Sequence, residues 1–335
     1  MRLGDLGERR ILKEIIPKFV RGAGDDCANL GKLTGHVVVT TDPVPVPAAS
    51  VIAGDPDLYW LGWLLVTINA SDIAAAGARP ISFVAALDLP TDLEVDELER
   101  LLSGIRDSCD ANSLSYVGGN LREAHRISAV GTAIGVSVRK PLSRSGAEVG
   151  DKVIVIGRGG KFWADAERVR AGGFVNKKTS PLFSPVSQSP FVYQLHDNML
   201  LKCAMDTSDG LAPSLVELSL VNGLGIDVDL QRLRLASDSA DVAVDPEKLW
   251  MGWGDWTVLA ATSENCMPAI HKQMSLLGGT VTEIGEFVAG DEVMLKLDGR
   301  EKPIGRLESE RFAKDSWFSE GIDGYVRRLR EFSIP

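Results

Sequence analysis

Short apolar runs separated by polar breaks fill the first 140 residues, and their spacing predicts alternating strands and helices. The β-branched run Val37–Thr41 ends at Asp42 and is followed by three prolines, which is typical of a strand that stops. Apolar positions from Asp57 to Ala76 recur at helical spacing. Thr91 and Glu94 have the spacing of a capping box and predict a helix from Glu94 to Asp107. The same criteria predict strands at Ile81–Leu89, Leu114–Val117 and Ile127–Val138.

The second half of the chain is also predicted to consist of alternating strands and helices. The predicted strands are Lys152–Ile156, Leu201–Met205, Ile226–Leu230, Thr257–Ala261 and Val281–Phe287, and the predicted helices are Lys161–Ala171, Leu211–Asn222 and Glu264–Leu277. A Ser/Pro/Lys-rich stretch from Gly172 to Pro190 has no periodicity, so we expect either a functional lid or a disordered loop. Lys177 and Lys178 in this stretch are interpreted as solvated side chains rather than an anion site.

A polar segment between Lys140 and Gly150 divides the two halves. A chain of 335 residues exceeds what one hydrophobic core usually serves. We therefore predict two α/β domains of unequal size, residues 1–140 and 141–335.

Composition excludes several kinds of protein. A net charge of −10 and a pI near 5.0 argue against a nucleic-acid-binding face. The four cysteines and four histidines are dispersed, which leaves no zinc ribbon, disulfide framework or histidine metal site. The start of the chain lacks the apolar core of a signal peptide. Asn69, Ser71 and Asp72 interrupt the most apolar segment, which therefore predicts a buried helix and a cytoplasmic protein without membrane spans.

Aspartates beside small residues recur after strands and at turns. Four segments share this pattern: Gly24-Asp25-Asp26, Thr40-Thr41-Asp42, Asn69-Ala70-Ser71-Asp72 and Asp206-Thr207-Ser208-Asp209-Gly210. Magnesium takes hard oxygen ligands and usually shares them with substrate phosphates. Each segment alone is equally typical of an ordinary turn or helix cap. Together they indicate a magnesium–nucleotide site.

The order of these segments resembles the thiamine-monophosphate kinase family, which belongs to the aminoimidazole ribonucleotide synthetase-like (PurM-like) superfamily. The motifs that carry the resemblance are residues 24–28, 40–42, 69–80 and 206–211, together with Gly118-Gly119 and the segment from Leu142 to Asp151. The resemblance extends from about residue 20 to about residue 290.

The resemblance implies a fold and a set of site residues. The fold would be α/β (α+β) with two domains, an N-terminal mixed sheet with helices and a C-terminal α/β sandwich. Two chains would form a homodimer through their N-terminal sheets, with ATP in a cleft between domains. The implied metal ligands are Asp25, Asp26, Asp42, Asp72 and Asp206. Asp206 and Asp209 would be catalytic, and the nucleotide would contact Gly118, Gly119, Asn120, Arg144 and Ser208.

Three segments depart from the family pattern. Asn120 stands where the family has aspartate, which predicts a weaker or absent metal site. No histidine follows Asp42, where the family encloses its substrate. Residues 252–258 replace an acidic family motif and supply Trp253, Asp255 and Trp256 as candidate substrate contacts, although core packing is the favoured interpretation of each tryptophan.

The sequence therefore predicts an enzyme that uses ATP and Mg²⁺ as a phosphotransferase. Its acceptor would be thiamine monophosphate or, in the favoured interpretation, another small molecule. Two alternatives stay open. One is an enzyme that activates an amide or carboxyl oxygen with ATP and then permits cyclisation, dehydration or amide formation. The other is a nucleotide-binding protein with weak catalysis, which Asn120 motivates.

Overall fold

A computed structural model describes residues 1–20, 27–237, 242, 244–307 and 317–335. Within these residues the first half of the chain forms a four-stranded sheet in the order β1-β4-β2-β3. β4 is antiparallel to β1 and β2, whereas β2 and β3 are parallel. The strands are β1 (His36–Pro43), β2 (Arg79–Leu89), β3 (Ser115–Glu123) and β4 (Ser128–Ser137).

Two long helices pack against each other and cover one face of this sheet. Glycines make their close contact possible, because a Cβ added at Gly62 would lie 2.2 Å from Leu101 O and one at Gly104 would lie 2.0 Å from Tyr59 O. The helices of this half are α1 (Leu3–Leu6), α2 (Glu8–Arg10), α3 (Ala48–Val51), α4 (Leu58–Ala75) and α5 (Val95–Ala111), with a π-helical turn at Ile11–Ile15 and a 3₁₀ turn at Ile16–Lys18.

The capping of α5 differs from the prediction. Glu94 is the N-cap residue, and its capping box is formed with Glu97 rather than with Thr91. The Glu97 carboxylate accepts a hydrogen bond from Glu94 N at 3.0 Å. Both pairs have the required spacing of three residues, so the sequence alone did not distinguish them.

A seven-stranded mixed sheet organises the second half, in the order β11-β10-β7-β9-β5-β8-β6 within the described residues. Its strands are β5 (Lys152–Ile156), β6 (Cys203–Asp206), β7 (Gly225–Asp229), β8 (Val258–Thr262), β9 (Val281–Val288), β10 (Val293–Leu297) and β11 (Arg300–Pro303). The helices are α6 (Lys161–Arg170), α7 (Ser189–Asp197), α8 (Leu211–Asn222), α9 (Leu230–Ala236), α10 (Pro246–Leu249), α11 (Met267–Leu277) and α12 (Trp317–Glu331), with a 3₁₀ turn at Glu264–Cys266.

Two sheets with helices confirm the predicted α+β fold class. The first sheet ends at Ser137 and the second begins at Lys152, while the proposed domain limits at residues 140 and 141 stay a prediction. Sequence periodicity missed elements that are short or lie late in the chain: β10, β11, α1, α2, α3, α7, α9, α10 and α12.

The segment of residues 176–188, here called the strap, is packed between the two halves. Leu182 and Phe183 are buried. The carbonyl oxygen of Pro185 accepts hydrogen bonds from Trp63 Nε1 at 2.7 Å and Thr67 Oγ1 at 2.8 Å. The expectation of a disordered loop is therefore wrong for this part of the chain, because the strap carries its own apolar side chains and hydrogen bonds to α4.

Helix α4 is long and apolar enough to cross a membrane by length and composition alone. Within the protein, 61% of that apolar window is buried, as expected for a core helix. No other helix among the described residues passes the same test.

Candidate active site

Asp42 and Asp72 come together where β1 ends and the last turns of α4 pass over the sheet. Asp72 accepts a hydrogen bond from Thr40 Oγ1 at 2.5 Å. The backbone N of Asp42 donates to Asn69 Oδ1 at 3.1 Å, and Asn69 is fully buried. The polar residues that interrupt the apolar α4 segment therefore orient two predicted metal ligands.

Asp206 reaches the same place from the second sheet. It lies at the end of β6, and its carboxylate accepts hydrogen bonds from Ser71 Oγ at 2.8 Å and Ser208 Oγ at 3.2 Å. The bond from Ser71, on α4, joins the two halves of the molecule at this point. Gly210 follows at φ 108°, and a Cβ there would meet the backbone of residues 251–253 within 3.0 Å. Glycine thus lets the turn after Asp206 pack closely against a neighbouring loop.

The electrostatics of this cluster are those of crowded carboxylates. Burial, together with the neighbouring charges of Asp206 and Asp42, raises the pKa of Asp72 to about 7, although the hydrogen bond from Thr40 lowers it. Burial also raises the pKa of Asp206, while its hydrogen bonds from Ser71 and Ser208 lower it. A bound cation would relieve this mutual repulsion, since it favours the ionised form of each carboxylate.

Two cavities meet at this cluster. The first has a volume of about 470 Å³ and the second about 810 Å³. Both are lined by Asp206, Ser208 and Asp209, and the first also by Asp42 and Asp72. We call Asp42, Asp72, Asp206 and Asp209 the acidic junction. Asp206 and Asp209 thus lie between two spaces that are each large enough for a small molecule, and Asp42 and Asp72 face the first of them.

The first cavity is also lined by five aromatic rings, which we call the aromatic end: Trp60, Phe162, Phe183, Trp253 and Trp256. Phe183 belongs to the strap, and its ring centroid lies 5.2 Å from that of Trp60. The strap is thus a wall of the cavity as well as a link between the two halves.

The three candidate substrate residues of the 252–258 loop lie in different environments. Asp255 accepts hydrogen bonds from Gly160 N at 2.7 Å and Phe162 N at 2.8 Å, which caps the start of α6. Burial raises its pKa to about 7 despite these two donors. Its carboxylate is therefore bound by the backbone and is absent from the described lining of the first cavity.

Trp253 and Trp256 differ in their packing and in their backbone conformation. The ring of Trp253 packs against Phe162, Trp163 and Tyr325, with centroids 5.0 Å, 5.2 Å and 5.7 Å away. Trp256 lines the cavity with φ at 53°, a backbone conformation that is uncommon for a bulky residue. Such strain persists only where the surroundings impose it, and here Asp255 anchors the preceding position to α6.

The remaining predicted site residues lie in three places. Arg144 lines the second cavity and pairs with Glu217 at 3.5 Å. Gly118, Gly119 and Asn120 lie on β3, outside the described lining of both main cavities. In the strand register, Asp42 is opposite Gly131, Gly131 opposite Ala85, and Ala85 opposite Gly119. Gly119 is therefore three strand spacings from Asp42, a distance of about 14 Å across the sheet. Asp25 and Asp26 lie outside the described residues.

The donor set at the acidic junction fits magnesium. Among the described residues, no group of three His, Cys, Asp or Glu side chains forms a closed metal site. Magnesium, however, is usually held by one or two carboxylates together with waters and substrate phosphates. Asp42, Asp72 and Asp206 are oxygen donors of this kind. Burial raises the pKa of Asp72 and of Asp206, so a bound cation would stabilise the charged form of both carboxylates.

Sequence reasoning missed the walls of the first cavity. Trp60, Leu64, Ile68 and Asp72 line it, and their spacing of four residues places them on one face of α4. That spacing was visible in the sequence but is equally typical of a helix packed in the core. Phe183 carried no signal, because the strap has no periodicity.

Comparison with known proteins agrees with this geometry. Residues 24–137 match the family model "AIR synthase related protein, N-terminal domain". The thiamine-monophosphate kinase of Halobacterium salinarum is 30% identical over 311 residues, which cover 92% of this chain and 99% of that protein.

Two solved structures share the fold. AaThiL complexed with AMPPCP and TMP is 23% identical with a TM-score of 0.65, covering 90% of this chain and 98% of that one. The hydrogenase maturation protein HypE in complex with ATP is 18% identical with a TM-score of 0.72, covering 92% of this chain and 98% of that one. Sequence similarity over nearly the whole length of a curated kinase distinguishes between the kinase and the hydrogenase maturation protein. The chain belongs to the thiamine-monophosphate kinase family of ATP-dependent kinases.

Proposed function

We propose that this kinase transfers the γ-phosphoryl group of Mg-bound ATP to a flat, cationic heteroaromatic acceptor. The observation that carries the proposal is the meeting of the two cavities at Asp206, Ser208 and Asp209. Phosphoryl transfer requires two substrates to approach one point where negative charge is neutralised, and positioning with electrostatics supplies most of the catalysis.

The second cavity is the better place for ATP. It is the larger of the two, and Arg144 and Arg306 lie on its wall. None of the described residues that line the first cavity is Lys, Arg or His, so a triphosphate would lack partners there. Asp42, Asp72 and Asp206 would hold magnesium, which neutralises charge on the transferring phosphoryl group when bound. Asp209 lies exposed between the cavities, and we assign it the orientation of the acceptor oxygen.

The first cavity is suited to the acceptor. Aromatic rings favour a flat molecule, and a described lining that contains four aspartates and no Lys, Arg or His favours a cation. Thiamine monophosphate has a positively charged thiazolium ring and a phosphate that can receive a phosphoryl group. It therefore meets both requirements, and another cationic heterocycle is the alternative that the altered segments at residues 43–47 and 252–258 suggest.

We also propose a homodimer formed through the exposed face of the first sheet. Exposure alternates along β1, and Val37 and Val39 are 56% and 68% exposed. Val130, on the adjacent β4, is 37% exposed on the same face, because it pairs with Pro43. An apolar sheet face of this kind is typical of an interface. The predicted nucleotide role of Asn120 requires such a dimer, since this exposed residue of β3 lies far from the acidic junction of its own chain.

The test is an assay of purified protein with ATP, Mg²⁺ and thiamine monophosphate, in which ADP, free phosphate and thiamine diphosphate are all measured. Equal amounts of ADP and thiamine diphosphate, abolished by EDTA and restored by Mg²⁺, are expected. ADP with free phosphate would instead indicate an activating enzyme. ATP binding without turnover on any cationic heterocycle would contradict the proposal.

Light scattering tests the dimer separately. The wild type is expected at about twice the mass of one chain, and Val39→Lys is expected to shift the protein toward the monomer because it places a charge in an apolar interface. A monomeric wild type would overturn the dimer without affecting the assignment of the two cavities.

A further inference from the structure

The first cavity follows one face of α4 from the acidic junction to the aromatic end. Trp60 and Asp72, both on its wall, are twelve residues apart. At 1.5 Å per residue this separation is about 18 Å along the helix axis. An acceptor whose reactive oxygen lies at the acidic junction therefore extends its far end toward Trp60.

Lys177 lies at that far end. Its ammonium is 5.9 Å from the ring centroid of Trp60 and 5.2 Å from that of Phe183, two residues of the aromatic end. Its Nζ also contacts Asp55 Oδ2 at 2.6 Å, the oxygen that accepts a hydrogen bond from Trp60 Nε1 at 2.9 Å. The lysine is thus held beside the cavity by an ion pair and two rings, although half of its side chain stays exposed to solvent.

Lys177 can bind a further partner. Its side chain is 51% exposed, whereas that of Asp55 is 18% exposed. Because an ammonium group has three N–H donors, Lys177 can donate a hydrogen bond to a ligand while it keeps its ion pair with Asp55. The described lining of the first cavity contains no basic residue, so Lys177 supplies a positive donor that the wall itself lacks.

We propose that Lys177 determines acceptor specificity, by donating a hydrogen bond to the edge of the ring farthest from the transferred phosphoryl group. The proposal rests on the proposed function. It predicts that the favoured acceptor carries its positive charge near the acidic junction and a hydrogen-bond-accepting nitrogen or oxygen on a distal ring. The pyrimidine nitrogens of thiamine monophosphate fit this description, whereas a distal cation is repelled.

The experiment compares steady-state kinetics of the wild type, Lys177→Met, Lys177→Arg and the control Lys178→Met. Methionine keeps an apolar stem over the rings but removes the charge, and Lys178 is an exposed neighbour. Lys177→Met is expected to raise KM for thiamine monophosphate about tenfold, the usual effect of one hydrogen bond to a charged group. The values of kcat and of KM for ATP stay unchanged. Lys177→Arg restores part of the loss, and Lys178→Met behaves as the wild type.

A truncated ligand shows where Lys177 acts. The phosphate ester of the thiazole alcohol lacks the distal pyrimidine, so its inhibition constant is expected to be the same in the wild type and Lys177→Met. An equal loss of affinity for both ligands would mean that the substitution disturbs the strap. An unchanged KM for thiamine monophosphate in Lys177→Met would overturn this inference and leave the proposed function in place. A wild type that neither binds nor phosphorylates thiamine monophosphate would overturn the proposed acceptor and this inference together.

Discussion

The acidic junction and the aromatic end bound the same cavity but come from different kinds of sequence. The four aspartates of the junction each lie in a short motif with small neighbours, at a strand end or near the end of α4. The rings of the aromatic end come from α4, α6, the strap and the loop after α10, which are far apart in the chain. Charged groups that meet phosphates need specific neighbours, whereas an apolar wall needs only the right volume.

The largest effect on activity is expected for a substitution in the acidic junction that leaves the aromatic end unchanged. Asp206→Asn is expected to lower kcat by about 100- to 1,000-fold, the range for removing one group that stabilises charge in a transition state. Burial disfavours the charge of Asp206, so the neutral amide is not expected to lower the melting temperature. Enzyme kinetics and thermal unfolding of the same sample measure both quantities.

The exposed Asp110, near the end of α5, provides a matched control for this substitution. Asp110→Asn is expected to retain wild-type kcat and stability. Loss of folding in Asp206→Asn, or full activity at saturating Mg²⁺, would show that Asp206 holds the two halves together through Ser71 without taking part in the chemistry.

The junction could be anticipated from sequence for a physical reason. Asp42, Asp72 and Asp206 lie in short motifs with small neighbours, whose order resembles that of the kinase family. Magnesium is held by carboxylates together with substrate phosphates, which favours such motifs. Apolar periodicity predicts α4 within one residue at each end and β5 at its observed bounds. Periodicity could not place Phe183 beside Trp60, because that contact joins residues more than 100 positions apart and depends on how the strap folds back.

A second pair of substitutions sharpens the difference between the two tryptophans of the aromatic end. Trp253→Ala is expected to lower the free energy of unfolding by about 2 to 3 kcal/mol, somewhat less than for a fully buried ring, because Trp253 packs on three other aromatic residues. Chemical denaturation measures this loss. Kinetic constants for ATP are expected to stay within about twofold under conditions where the variant is folded.

Trp256→Gly is expected to do the reverse, to weaken acceptor binding while leaving stability almost unchanged. Glycine adopts a φ of 53° without strain, so the free energy of unfolding stays within about 1 kcal/mol of the wild type. Loss of one stacking ring raises KM for the acceptor about fivefold, since aromatic contacts contribute about 1 kcal/mol and tenfold in affinity is about 1.4 kcal/mol. Equal destabilisation by both substitutions would mean that Trp256 is a core residue and that its backbone strain has no role in binding.

The smallest expected effect concerns the strap, the part of the aromatic end that sequence described least well. Thr67→Val keeps the shape of the side chain but removes its hydrogen bond to Pro185 O, which costs about 1 kcal/mol. Hydrogen exchange is expected to accelerate at strap amides such as Ser187 N, which donates to Asn112 Oδ1, and to stay unchanged in the second sheet. Ser103→Ala, which removes a local bond within α5, is the control. Unprotected strap amides in the wild type would show that residues 176–188 open as a lid, and the aromatic end would then form only when an acceptor closes it.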